Sequence, residues 1–254
     1  MDLGALGPIL FGVIAVGVLV GGYLLDKKRR ERLMKFALMR GWTYVGEDPS
    51  LVDRWPGEPF GKGDHRRARN VLTGTESGRA FTAFDYSYQT HSTDSKGHRS
   101  TTTHRWTVCV VPMPAWLGPV QVVPENLLHR MADAVGLLTD IELESEAFNR
   151  KYRVSASSAK LASDILTPRT MEYLIAMDAE GWRTCGTDLV SFGQGRLDPA
   201  EVVRTAAVLG RVQDGIPGFV WTDAGVPDAG VRDAGRPTRP GDAGTTDPRA
   251  VDPG

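Results

Sequence analysis

Thr101-Thr102-Thr103-His104-Arg105-Trp106-Thr107-Val108-Cys109-Val110-Val111 is the stretch that sets the fold class. It places His104, Trp106, Val108 and Val110 on one side against Arg105, Thr107, Cys109 and Val111 on the other, the period of two that a strand requires. Residues 80–88 read as the strand before it. Residues 69–75 read as the strand before that, joined through the turn residues Glu76-Ser77-Gly78. Together these predict an antiparallel meander. Residues 42–45 add a short strand. Across 48–64 prolines and glycines interrupt every pattern, marking a long loop that Leu51, Trp55 and Phe60 would pin to the core.

Between the last two strands lies Gln89-Thr90-His91-Ser92-Thr93-Asp94-Ser95-Lys96-Gly97-His98-Arg99-Ser100, expected to be a long, mobile, polar hairpin tip where binding residues collect. Downstream, residues 127–137 read as a helix begun near Pro124 and Glu125. Residues 141–154 start with strand-like alternation that sets Glu142, Glu144 and Glu146 on one face. Residues 159–166 and 168–177 read as helices, the second with Thr167 as its cap and Pro168 in the first turn. Residues 182–185 and 188–192 suggest a hairpin around Gly186. Asp198-Pro199 opens an amphipathic helix to Val212, closed by Gly215 and Pro217. The expected class is α+β, an antiparallel sheet meander with packed helices behind one N-terminal transmembrane helix.

That last helix comes from Leu3 to Leu25, which hold no charged residue and are followed by Asp26-Lys27-Lys28-Arg29-Arg30-Glu31-Arg32. At about 1.5 Å per residue the run reaches roughly 34 Å, enough for a hydrocarbon core of about 30 Å. Only Met1 and Asp2 precede it, with no Lys or Arg, so the basic n-region of a cleaved signal is missing. Basic charge on the C-terminal side puts the N-terminus outside and the rest in the cytoplasm. The chain then divides into an anchor (1–26), a basic juxtamembrane helix ending at Gly41 (27–41), a cytoplasmic α+β domain (42–222) and a disordered tail (223–254) rich in Asp, Ala, Gly and Pro. Lys27, Lys28, Arg29, Arg30 and Arg32 form a membrane-surface cluster for anionic lipid head groups, each charge worth about 1 kcal/mol near an anionic leaflet. Gly17 and Gly21 offer a small-residue face for a homodimer.

Lys+Arg 30 against Asp+Glu 31 leaves no global field to attract nucleic acid. Cys109 and Cys185 stand alone, which excludes a disulfide framework or a zinc ribbon. There is no GxSxG, HExxH, GxxxxGKS/T or post-strand GxGxxG. Ser157 and Lys160 have SxxK spacing, but KTG is missing. No catalytic residue and no cofactor is expected. His91, Asp94, His98 and His104 are the metal-ligating candidates, since imidazole and carboxylate bind zinc-like ions. Solvated hairpin residues are the competing reading. His65, Arg66, Arg67 and Arg69 form an anion patch or, alternatively, a charged strand edge that discourages pairing between chains. Two functions follow. One is a noncatalytic interaction or scaffold module at the inner face of the membrane, with an unidentified protein partner. The other is a membrane-surface enzyme or ligand or metal sensor using the histidine-bearing hairpin. Convergence of His65, His91, His98, His104 and Asp85 on one cavity would favour the second, and dispersal the first.

The run Ile141-Glu142-Leu143-Glu144-Ser145-Glu146-Ala147-Phe148-Asn149-Arg150-Lys151-Tyr152-Arg153-Val154, with Asp164-Ile165-Leu166-Thr167-Pro168-Arg169-Thr170-Met171-Glu172 behind it, resembles a family of bacterial membrane-associated proteins, domain of unknown function 3137. The resemblance covers residues 80–195. It implies a cytoplasmic α+β domain behind N-terminal membrane helices, of which members often carry two and this chain shows one. It implies no activity.

Overall fold

The computed structural model describes residues 3–128 and 138–227; within the first helix the side chains of residues 3–15, 18 and 19 are outside the description. The strand read from the period of two is β4 (Arg99–Pro112), paired from Thr82↔Val110 to Thr93↔Arg99 with β3 (Arg79–Thr93). β2 (Asp64–Glu76) and β1 (Thr43–Glu47) complete the meander. Ser77 and Gly78, both at positive φ, form the two-residue turn whose twist matches that of its strands.

The sheet is larger than a meander. β5 (Val120–Pro124), α2 (Glu125–Leu128), β6 (Thr139–Ile141), α3 (Glu146–Lys151), β7 (Tyr152–Ala156), α4 (Ala159–Ile165) and α5 (Pro168–Ala176) follow in turn. β8 (Gly181–Cys185), β9 (Asp188–Gln194), α6 (Pro199–Gly215) and α7 (Gly218–Asp223) complete the chain. Nine strands among the described residues are ordered β1-β2-β3-β4-β9-β8-β5-β7-β6, every pair antiparallel. The predicted hairpin β8–β9 therefore joins the meander to a second group of strands.

Alternation in the central strands builds two cores. Leu72, Phe81, Ala83, Cys109 and Val111 face the helices, against Leu33 and Ala37 of the first helix, α1 (Leu3–Met39), and Leu209 and Val212 of α6. Phe84, Tyr86, Trp106, Val108, Val110 and Phe192 face the other way, beneath Leu51, Trp55 and Phe60 as expected. The long loop stays in place because the buried Arg183 donates to the carbonyls of Pro56 (2.6 Å), Gly57 (2.9 Å) and Glu58 (2.7 Å). Trp55 Nε1 also donates to Asp188 at 2.9 Å. Carbonyls that proline-rich chain cannot pair internally are thereby satisfied by a charged donor.

Several expectations are corrected. The tip at 89–100 is mostly ladder: only Asp94–His98 form the turn, where the Asp94 carboxylate accepts from the backbone N–H of Lys96 and His98 (2.9 Å each). β-rich Thr residues on both arms extend pairing where polarity alone suggested a loop. Glu142, Glu144 and Glu146 do not share a strand face. Ser145 caps α3 by accepting from the Phe148 N–H, and Glu146 stands in its first turn. Strands β5 and β6 were not anticipated. Of the helix expected at 127–137, residues 125–128 are helical and 129–137 are outside the described residues. The tail expected from 223 keeps its order to residue 227, with the Val226 N–H on Trp221 O at 2.9 Å; residues 228–254 lie outside the description.

Among the described residues no helix is long and apolar enough to cross a membrane. Most of the uncharged segment from Leu3 lies where side chains are not described, although the backbone of α1 is continuous through it.

Burial pushes the Cys109 thiol up to about 12, opposed by a hydrogen bond from the Val110 backbone. The thiolate is the reactive form. Iodoacetamide at pH 8 is therefore expected to label the half-buried Cys185 on the native protein and Cys109 only after denaturation, as peptide mass mapping would show; rapid native labelling of Cys109 would contradict its burial.

Candidate functional site

The site forms where α1 crosses the sheet. Leu33 and Ala37, one turn apart and each 1% exposed, seat the helix on the sheet. One turn earlier Arg29 faces β3, where Asp85 lies on the same side as Phe81 and Ala83. The two make a bidentate pair, Nη1–Oδ2 2.7 Å and Nη2–Oδ1 2.9 Å. Asp85 also accepts from Asn70 Nδ2 (2.6 Å) and the Leu197 N–H (2.7 Å), while Arg29 Nη2 donates to Leu197 O (2.8 Å). One carboxylate thus ties α1, β2, β3 and the segment between β9 and α6.

Two register shifts in β2 set up this network. They fall between Asp64 and Arg67 and between Arg69 and Leu72, with His65 (φ 49) and Asn70 (φ 51) in the left-handed region. Asparagine tolerates that conformation, and a bulge there turns the side chain off the normal alternation. Ala68 and Val71 consequently share the far core, Leu72 enters the helix-side core, and Asn70 reaches Asp85. The Tyr44 hydroxyl donates to Asn70 Oδ1 at 2.8 Å. Burial raises the Tyr44 phenol above its ordinary value, partly opposed by Arg30 and Arg29, so it remains a donor at neutral pH.

Around this network opens a groove of about 630 Å³, lined by Arg29, Arg30, Arg67, Arg69, Arg105 and Arg196, with Asp26, Glu47 and Asp85 as its carboxylates and His65, Asn70, Ser87, Gln89 and Thr103 between them. Arg196 pairs with Asp26 at 2.7 Å. Arg67 (3.9 Å) and Arg69 (3.3 Å) share Glu47. Among the described residues the side chains of Arg30 and Arg105 make no hydrogen bond or ion pair, and both are exposed.

The fold resembles that of a mycobacterial transport factor. The crystal structure of the mycobacterial trehalose monomycolate transport factor A, TtfA, matches with a TM-score of 0.55 at 16% identity, over 74% of this chain and 96% of that one. No family model matches the sequence, and no curated protein does. The likeness to TtfA is one of fold.

The residues singled out in the sequence divide between places. Of the juxtamembrane cluster, Arg29 and Arg30 turn into the groove, whereas Lys27, Lys28 and Arg32 remain exposed. Of the anion patch, His65, Arg67 and Arg69 line the groove. Arg66 points elsewhere and pairs with Asp53 at 3.3 Å, a consequence of strand alternation. The four metal candidates do not converge on one point; only Asp94 and His98 pair. His98 stays on Asp94 at the turn (3.0 Å), and His104 stacks on Tyr88 at 4.6 Å with Nε2 on Thr90 Oγ1. His91 turns to Asp64 (3.3 Å), whose other oxygen is 3.2 Å from His65 Nδ1. Asp64, His65 and His91 therefore form a different, exposed trio with ligand atoms within 4.8 Å of one another. The hydrogen bond from His65 holds the Asp64 carboxyl below its usual range. Sequence reasoning did not join Asp85 to Arg29, nor Arg105 and Arg196 to the patch. A lone carboxylate within the apolar run of β3 was the available signal.

Proposed function

We propose that this chain is a single-pass, membrane-anchored and noncatalytic interaction module, its N-terminus outside and its α+β domain at the inner face of a bacterial membrane. The observation that carries this reading is the continuity of α1. The helix holding the uncharged stretch is the one whose later turns enter the core through Leu33 and Ala37 and lock to Asp85 through Arg29. An anchor so joined fixes the orientation of the domain, where a flexible linker would leave it free. The basic residues that follow Leu25 favour the inner side by the positive-inside rule. The likeness in fold to TtfA, named for trehalose monomycolate transport, is in keeping with a membrane-associated role. So is the pattern resembling domain of unknown function 3137. Gly17 and Gly21 supply a face for a second copy in the bilayer, and the exposed Asp94–His98 turn a contact for a protein partner.

The dispersal of His98 and His104 away from the groove favours the module over the enzyme. The trio Asp64, His65 and His91 supports a second reading, a metal sensor, which stoichiometric zinc in the purified protein would favour.

In membranes washed with alkaline carbonate the full chain is expected to stay in the pellet, and a variant lacking residues 3–25 is expected in the supernatant. Release of the full chain would overturn the anchor. Activity of a periplasmic reporter fused to the C-terminus would overturn the orientation.

A further inference from the structure

We propose that the arginine groove between α1, β2, β3 and β4 binds the phosphate of an anionic membrane lipid. The inference rests on the anchored reading above. Six arginines line one concavity against three carboxylates, and each carboxylate is already engaged by an arginine. Like charges gathered in a concave site repel one another unless an anion offsets them. The Arg105 side chain makes no hydrogen bond or ion pair among the described residues, and Arg67 reaches Glu47 only at 3.9 Å, so both guanidinium groups hold donors free for a ligand. Planar guanidinium forks match phosphate oxygens in pairs, which makes arginine, more than lysine, the residue for this chemistry.

The groove's height along the helix selects the source of the phosphate. Arg29 and Arg30 follow the last residue of the uncharged stretch, Leu25, by four and five positions. At about 1.5 Å per residue they sit roughly 6 to 8 Å beyond the hydrocarbon edge. The head-group layer of a bilayer is of that order, since about 30 Å of hydrocarbon becomes 40–45 Å with both polar layers. The groove consequently opens where lipid phosphates lie, on the leaflet richer in anionic lipid. The latch of Arg29 on Asp85, to which Asn70 also donates, holds the walls in place without the ligand, so little ordering is needed on binding.

The test uses the full chain in neutral detergent micelles, titrated with dioctanoyl phosphatidylglycerol, dioctanoyl phosphatidylcholine or glycerol 3-phosphate and read by native mass spectrometry. Phosphatidylglycerol is expected to bind one molecule per chain, and the other two far more weakly. The double variant R67Q/R105Q is expected to weaken binding about 25-fold, about fivefold for each arginine removed. The variant R150Q/K160Q, two exposed cations on α3 and α4 outside both the groove and the juxtamembrane cluster, should change it by less than about twofold. Equal affinity in R67Q/R105Q, or an equal loss in R150Q/K160Q, would overturn the groove as the site. Binding of glycerol 3-phosphate as tight as that of the lipid would overturn the membrane source. Should circular dichroism show R67Q/R105Q unfolded, R105Q alone carries the test, with a fivefold loss expected and no loss overturning. A chain that stays in the carbonate pellet but binds no phosphatidylglycerol refutes this proposal and leaves the anchor. A chain stripped by carbonate refutes the anchor instead.

Discussion

Asp85→Ala is expected to destabilise the protein by about 3 kcal/mol, because it leaves a largely buried guanidinium and two further donors without their acceptor. Asp85 accepts four hydrogen bonds, two from Arg29 and one each from Asn70 and Leu197. Breaking a fully buried pair costs roughly 3–5 kcal/mol, and here the side chains are 21% and 15% exposed, which places the effect at the lower end. For a folded domain of this size such a loss lowers the melting temperature by about 6–12 °C. The exposed pair of Arg196 and Asp26 is the control: both side chains are nearly half exposed, and Arg196→Ala should cost less than about 1 kcal/mol. Thermal unfolding of the full chain in detergent measures both. A double-mutant cycle with Arg29→Ala should show strong coupling, since Asp85→Ala then leaves no charge stranded. A melting point for Asp85→Ala equal to that of Arg196→Ala would mean that the latch does not hold α1 to the sheet.

What the sequence disclosed and what it hid divide along a physical line. Local rules were legible. Thr167 and Asp198 cap α5 and α6 with Pro168 and Pro199 at their starts, Gly41 ends α1 at positive φ, and Gly186 turns β8 into β9. The period of two in β4 forecast both cores correctly, down to Cys109 on one and Trp106 on the other. The groove was not legible, because its parts meet across distances no local pattern spans. Arg29 and Leu197 are 168 positions apart, and Arg196 and Asp26 are 170. The basic patch read from adjacency included Arg66, which alternation sends to the opposite face, and omitted Arg105, which β4 carries to the groove two strands away. The bulges at His65 and Asn70 were hidden too, since a left-handed Asn inside a strand reads as an ordinary polar position until its register is known.

Gly74→Val carries the second large effect, and its cause is space. Gly74 is not in the left-handed region, so backbone freedom is not why glycine stands there. A Cβ at this position would lie 2.3 Å from Cδ1 and 2.6 Å from Cγ of Trp42, well inside contact distance. The indole cannot yield easily. It packs edge-on against Phe81 at 4.6 Å and Phe36 at 5.5 Å, and its N–H donates to Thr75 O at 3.3 Å. Overpacking of this kind costs about 3 kcal/mol, and the melting temperature should fall by about 6–12 °C. Trp42→Ala alone opens a cavity and should cost about 3–5 kcal/mol. In G74V/W42A the valine enters the space the indole vacates, so the double variant should lose less than the sum of the two single losses. Phe36 lies on the last turns of α1, while the latch to Asp85 lies two turns earlier, on Arg29. Gly74→Val should therefore loosen the end of α1 yet leave phosphatidylglycerol binding within about twofold of the parent below its melting temperature. Additive losses in the double variant would show that Trp42 does not lie over Gly74, and with it would fall the account of how the anchor helix is seated on the sheet.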